Sequence, residues 1–105
     1  MQTDVSHIEA VACNVLRSYP VKRAAFFGSA ARGNISDKSD IDMLIEFLPG
    51  RGGANFEFFG LRTDLEEAFN RPVDLITFYA LEHESKVQFR KNVLSDLRII
   101  YEREN

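Results

Sequence analysis

These 105 residues contain no long hydrophobic run, no surplus of basic charge and no second cysteine. Without an apolar stretch approaching the roughly 20 residues that span a bilayer, a transmembrane helix is excluded. The opening MQTDVSHIEAVA has no basic segment leading into a long apolar one, so it does not read as a secretory signal. Cys13 stands alone and can form no internal disulfide, which points to a reducing compartment, the cytoplasm. Thirteen Lys and Arg against sixteen Asp and Glu give a net charge of −3. That balance disfavours direct binding of duplex DNA, which draws on a basic surplus. His7 and His83 lack a metal-ligand spacing and are expected at the surface. No base lies near Cys13 to make it a nucleophile, so it reads as a small, half-buried packing residue. Repeats and low-complexity segments are also absent.

What remains is a globular composition, 45% hydrophobic and 28% charged, at a length that fits one domain spanning 1–105. Val5, Ile8, Val11, Ala12, Val15, Leu16 and Tyr19 recur at helical spacing. Ser6 and Glu9 have the spacing of a capping box, predicting a helix over 6–19 that stops before Pro20. Residues 23–27 read as a short buried strand ending at Gly28, and Ser29 to Arg32 as a tight connection or a single helical turn. Over 41–47, Ile41, Met43, Ile45 and Phe47 alternate with Asp40, Asp42, Leu44 and Glu46, the clearest strand of the chain. After the Gly-rich stretch 49–54, Asn55 is placed to cap a helix ending near Phe69, with Phe58, Leu61, Leu65, Ala68 and Phe69 inward. Phe56, Phe58 and Phe59 exceed what one helix face can bury. One of them is expected either in an exposed patch or tucked under the Gly-rich loop. A strand over 73–78, a helix over about 82–95 and an edge strand over 98–102 complete the pattern. Strands alternating with helices imply an α/β (α+β) fold, a small mixed sheet with helices packed on it.

Charge is concentrated in the middle third. Residues 1–36 carry four basic and two acidic side chains, whereas 37–74 carry four basic and nine acidic ones. Leading into that segment is a Gly28-Ser29 pair, then ten residues, then Asp40-Ile41-Asp42 inside it. A glycine after a buried strand allows a sharp turn and the close approach of an anion to the backbone. Ser29 adds a hydroxyl and an amide N–H at the start of a helical turn, favourable to phosphate. Two aspartates two apart on a strand share one face, with Cα atoms about 6.6 Å apart. Such hard carboxylates suit Mg²⁺, which leaves its other positions to water and phosphate oxygens. Asp74 falls within the apolar strand Val73-Asp74-Leu75-Ile76. Burying it near two other carboxylates is unfavourable unless a divalent cation neutralises them. At average residue usage, the fixed four-residue pattern arises by chance in about one chain of this length in a thousand.

FFGSAARGNISDKSDIDMLIEF followed by RPVDLIT resembles the minimal nucleotidyltransferases, small members of the DNA polymerase β-like nucleotidyltransferase superfamily. The resemblance covers about residues 20–102. It implies that Gly28 and Ser29 hold a nucleoside triphosphate and that Asp40 and Asp42 ligate two Mg²⁺ or Mn²⁺ ions. Asp74 completes the catalytic set as metal ligand or base. Arg32 matches the Ala-Arg-Gly that follows Gly-Ser in the family, and either touches phosphate or pins the loop to Asp37 or Asp40. Family members of this size, with no added substrate-selecting domain, are often paired with a HEPN-domain toxin. In the best-understood mode they transfer AMP from ATP to a tyrosine of the HEPN ribonuclease and so act as its antitoxin. The resemblance therefore implies a metal-dependent nucleotidyltransferase working on a HEPN partner. Two alternatives stay open: an antitoxin acting by contact alone, and an adaptor that binds nucleotide without turnover. Homo- and hetero-oligomers are both compatible with the sequence.

Overall fold

Apolar residues at helical and at alternating spacing set nine elements in the computed structural model, which describes residues 4–36, 38–51 and 56–103. They are α1 (Val5–Leu16), β1 (Val21–Phe27), α2 (Gly28–Ala31), β2 (Ile41–Phe47), α3 (Phe56–Phe69), β3 (Val73–Thr77), α4 (Phe78–Glu82), α5 (Val87–Ser95) and β4 (Arg98–Glu102). The strands form one sheet in the order β3-β2-β1-β4. β1 pairs antiparallel with both β2 and β4, while β2 and β3 are parallel and joined through α3. This is the small mixed α/β arrangement expected from the sequence.

One face of the sheet is sealed. Ile41, Met43 and Ile45 of β2 meet Ile8, Ala12 and Leu16 of α1 and Leu61, Leu65 and Phe69 of α3 in the main core. The opposite face carries a smaller cluster, Phe27, Leu44, Leu81 and Val93, under α4 and α5. Leu44, on the same side of β2 as Asp42, is thus fully buried.

Several local expectations are corrected. Asp4, not Ser6, caps α1 by accepting the Ser6 amide, and Glu9 reaches instead to Arg98. The helix ends at Leu16, and Ser18 and Tyr19 turn toward Pro20 through bonds to the Val15 and Leu16 carbonyls. Asn55, the expected cap of α3, lies outside the described residues. Ala68 faces solvent, and two of the three phenylalanines, Phe56 and Phe59, are exposed where one was expected.

The predicted helix over 82–95 is shorter, α5 (Val87–Ser95), and a separate helix, α4, precedes it and takes Phe78 from the predicted strand over 73–78. Thr77 caps α4 by accepting the Ala80 amide, and residues 83–86 break the run before α5. The core explains the break. Leu81 and Val93 pack into the same small cluster, yet twelve residues of straight helix would separate them by about 18 Å.

Candidate active site

The local sequence fixes the carboxylates before any ligand is considered. Asn70 adopts a left-handed conformation (φ 56°) that ends α3, and the Arg71 amide returns to the Glu66 carbonyl. Glu66 then accepts the Val73 amide, Arg62 donates to the Val73 carbonyl, and the Ile41 amide donates to the Pro72 carbonyl. These bonds set the parallel register in which Asp42 lies directly beside Asp74, with neighbouring strands about 4.8 Å apart. Arg71 also donates to the carbonyls of Ser36 and Ser39, at 2.7 and 3.0 Å, and steadies the segment that delivers Asp40 to the start of β2.

On the other flank, Asp42 pairs with Phe27, the last residue of β1. Gly28 follows in a left-handed conformation (φ 65°) that only glycine adopts readily. A Cβ at position 28 would stand 2.6 Å from Oδ2 of Asp42, so the bare backbone of Gly28 is pressed against the carboxylate. Ala30 and Ile35, both buried, pin the turn to the core. The Asn34 amide closes it onto the Ser29 carbonyl.

Asp42 is half-buried, whereas Asp40 and Asp74 are exposed. Asp74 was expected to be buried within an apolar strand. It is open because β3 lies at the sheet edge and its carboxylate falls on the thinly covered face. Electrostatic stress therefore collects on Asp42, whose pKa is pushed up to about 6 by burial, then by the charges of Asp74 and Asp40, against the opposing pull of Arg32.

Among the described residues, Arg32 pairs with Asp96 rather than with Asp40. Its guanidinium donates to Asp96 at 3.0 Å, at the C-terminal end of α5; Asp37 lies outside the described residues. Nor do Arg23 and Arg71 take Asp74 out of the site. Arg23 pairs with Glu46 at 2.6 Å, while Arg71 holds the carbonyls already described. Gly28, Arg32 and Asp42 line a cavity of about 370 Å³ with Phe89, Asn92 and Asp96. A larger cleft, about 550 Å³, lies at the other end of β2 between Phe47, Phe58 and Tyr79. Its single carboxylate, Glu46, is the one paired with Arg23. Chemistry and cavity size thus separate. His7 and His83 are exposed as expected, and the Cys13 thiol is half-buried and donates to the Ile100 carbonyl.

Among the described residues, no group of three His, Cys, Asp or Glu side chains is gathered closely enough to hold one metal ion as it stands. The donor chemistry nevertheless fits divalent cations. Three hard carboxylates share one site, and the charged form of the middle one is destabilised by burial and by the other two.

A Gly-Ser turn seated on the first of two adjacent aspartate-bearing strands, in a four-stranded mixed sheet, defines a nucleotidyltransferase of the polymerase β class. Residues 12–105 match the family "Polymerase beta, Nucleotidyltransferase", and the chain belongs to it. It is 35% identical over 78 residues to a Methanocaldococcus jannaschii protein named as a candidate protein adenylyltransferase, an alignment covering 74% of this chain and 82% of that relative. A solved structure described as a candidate minimal nucleotidyltransferase superposes with a TM-score of 0.69 at 23% identity, over 91% of this chain and 95% of the other. The fold also recurs in a Shewanella oneidensis complex of a tri-AMPylated HEPN toxin with its MNT antitoxin. There the TM-score is 0.64 at 16% identity, with 94% of this chain and 73% of the other covered. No helix among the described residues is long and apolar enough to cross a membrane.

Proposed function

We propose that the protein transfers AMP from ATP to a tyrosine hydroxyl of a HEPN-domain toxin and acts as its antitoxin. The observation that carries this reading is the side-by-side register of Asp42 and Asp74, with the bare turn of Gly28 packed on the Asp42 carboxylate. The family's nucleotidyl chemistry and the AMPylated toxin in the Shewanella complex support it.

Gly28 and Ser29 receive the triphosphate along the turn, where no side chain at position 28 obstructs it. Arg32, at the edge of the same cavity, meets the phosphate charge. Asp40, Asp42 and Asp74 would hold two Mg²⁺ or Mn²⁺ ions. When bound, those ions would supply electrophilic activation of the α-phosphate and neutralisation of the departing pyrophosphate. The tyrosine oxygen forms a bond to the α-phosphorus while the bond from that phosphorus to the bridging oxygen of the β-phosphate breaks. Asp74, open to solvent at the sheet edge, faces the incoming acceptor and takes its proton. A site this exposed suits a macromolecular acceptor that brings its own walls.

The direct test is incubation of the purified protein with radiolabelled ATP, Mg²⁺ and the partner encoded beside it. The expected result is label on the partner with simultaneous loss of its ribonuclease activity. Inhibition without label would establish the contact-only antitoxin. Binding of ATP is checked independently by melting: ATP with Mg²⁺ raises the melting temperature by mass action, and ATP with a chelator does little. Equal stabilisation under both conditions would reject the carboxylate site.

A further inference from the structure

The Arg32–Asp96 pair is difficult to account for as a prop of the fold. Both side chains are about half exposed, at 52% and 43%, where water screens an ion pair. Asp96 caps the C-terminus of α5, the end of a helix where unsatisfied carbonyls disfavour negative charge. A carboxylate there gains little from its own helix. Its location is nevertheless tightly determined. Leu97, the next residue, packs against the Phe27–Leu44–Val93 cluster, and β4 begins at Arg98, paired with Phe26 of β1. Two residues before Gly28, therefore, the sheet fixes the chain that delivers Asp96 to the cavity. Arg32, by contrast, sits on the turn that closes α2, with a long side chain free to take many rotamers.

The cavity gives the pair a purpose. Gly28, Arg32, Asp42 and Asp96 line the same space, and Arg32 already lowers the pKa of Asp42 from its side of it. Left alone, an arginine facing the half-buried Asp42 would fold toward that carboxylate and occupy the room of a ligand. Asp96 draws it the other way. The ion pair at Nη1 engages one edge of the guanidinium, and the planar group carries five N–H donors in a fixed fork.

We propose that Asp96 is a positioning residue for nucleotide binding: it holds Arg32 at the mouth of the cavity with its remaining donors presented to the phosphates of a nucleoside triphosphate. This rests on the nucleotidyltransferase reading and extends it to a residue 64 positions from the one it orients.

The sign of one substitution decides the matter. Asp96→Asn removes a negative charge beside a polyanion site, so simple electrostatics, or a latch that competes with phosphate, makes nucleotide bind more tightly. Positioning makes it bind more weakly. Binding of Mg²⁺ with a non-hydrolysable ATP analogue is measured by titration calorimetry on the full chain, alongside melting temperature and transfer kinetics. Asp96→Asn is expected to weaken binding and raise KM for ATP roughly tenfold, with kcat at saturating ATP changed less than about threefold. Asp96→Glu is expected to recover most of the affinity. In an Arg32→Ala background, Asp96→Asn should weaken binding no further, since its positioning effect passes through the arginine. Unchanged or tighter binding by Asp96→Asn overturns the proposal. So does a loss that persists undiminished in the Arg32→Ala background, or one that accompanies a lowered melting temperature. Failure of the parent chain to bind the Mg²⁺–analogue complex would instead reject the underlying nucleotide site, and the proposal with it.

Discussion

One face of the sheet is closed by α1 and α3 over Ile41, Met43 and Ile45, whereas α4 and α5 cover the other over Phe27 and Leu44 and, partly, Ile76. Both faces come from the same strands, and on β2 the side chains simply alternate between them. On the closed face the described residues that are buried in the core are all apolar. On the open face the alternation that buries Leu44 also brings Asp42 next to Asp74, and there the molecule tolerates charges that repel one another. Stability and reactivity are thus separated by the two sides of a single strand, one residue apart. A change on one side should move one property and leave the other nearly untouched.

The largest expected separation is at Asp42. Asp42→Asn keeps the shape of the side chain but removes the charge central to the site. Transfer to the partner should fall by about a thousandfold or more. The metal-free variant should be as stable as the parent or up to about 1.5 kcal/mol more so, because a repelled carboxylate is gone. Labelled transfer and urea denaturation on the same preparation check both halves. Unfolding of the variant would make Asp42 structural and erase the contrast between faces.

Leu65→Ala probes the closed face. Leu65 is fully buried in the main core, and its truncation should cost about 3 kcal/mol by denaturation. Transfer per folded molecule, measured well below the new melting temperature, should match the parent. A matching loss of kcat would show that the two faces are mechanically coupled.

Ser29→Ala should lower transfer about 10- to 100-fold, the effect of one or two lost hydrogen bonds to phosphate, while the backbone turn stays in place. A melting temperature that drops with activity would reassign the hydroxyl to holding the turn.

The smallest effect is a pH dependence of the metal-free fold. Asp42 titrates near 6 in the fold against 3.8 for its ordinary value, raised by burial and by Asp74 and Asp40. The fold therefore holds this proton more tightly than the unfolded chain does. Its contribution to stability is complete below about pH 4 and disappears as pH rises through 6. Allowing for the partial exposure of the group, the change attributable to Asp42 should be about 1 kcal/mol. Melting of parent and Asp42→Asn between pH 4 and pH 7.5 isolates it. The difference between the two should shift in favour of the variant as pH rises, and a constant difference would remove the claim that the open face stores repulsion.

The strand alternation at 41–47 and the Gly-Ser and Asp-x-Asp spacings were legible because they are local: period two and a fixed turn need no tertiary knowledge. Asp74 was readable as a member of the set but not as exposed, since nothing in Val73-Asp74-Leu75 distinguishes an edge strand from a central one. The split into α4 and α5 follows from the shared packing of Leu81 and Val93, a long-range demand. Thr77 ahead of Phe78 is an N-cap signal that could have revealed where α4 begins. The displaced start of α1 turned on two adjacent capping choices, Asp4 and Ser6, that sequence alone leaves nearly equivalent. Asp96 had no local signature beyond an acidic residue at a helix end, the wrong sign for that position. Its partner lies 64 residues away and meets it only because β4 returns alongside β1.

The contact between the backbone of Gly28 and Oδ2 of Asp42 makes positions 28 and 42 a single heritable unit. While the aspartate is kept, a Cβ at position 28 would stand 2.6 Å from its oxygen and force the carboxylate aside. If a lineage gave up turnover and replaced Asp42 with a smaller side chain, that clash would vanish. Only the left-handed backbone would then constrain position 28, a conformation that asparagine also tolerates. Loss of catalysis should therefore leave a paired trace among descendants, with asparagine entering at 28 more readily once a smaller residue has entered at 42. A relative retaining glycine and aspartate together carries the mark of a site still under selection for what it does.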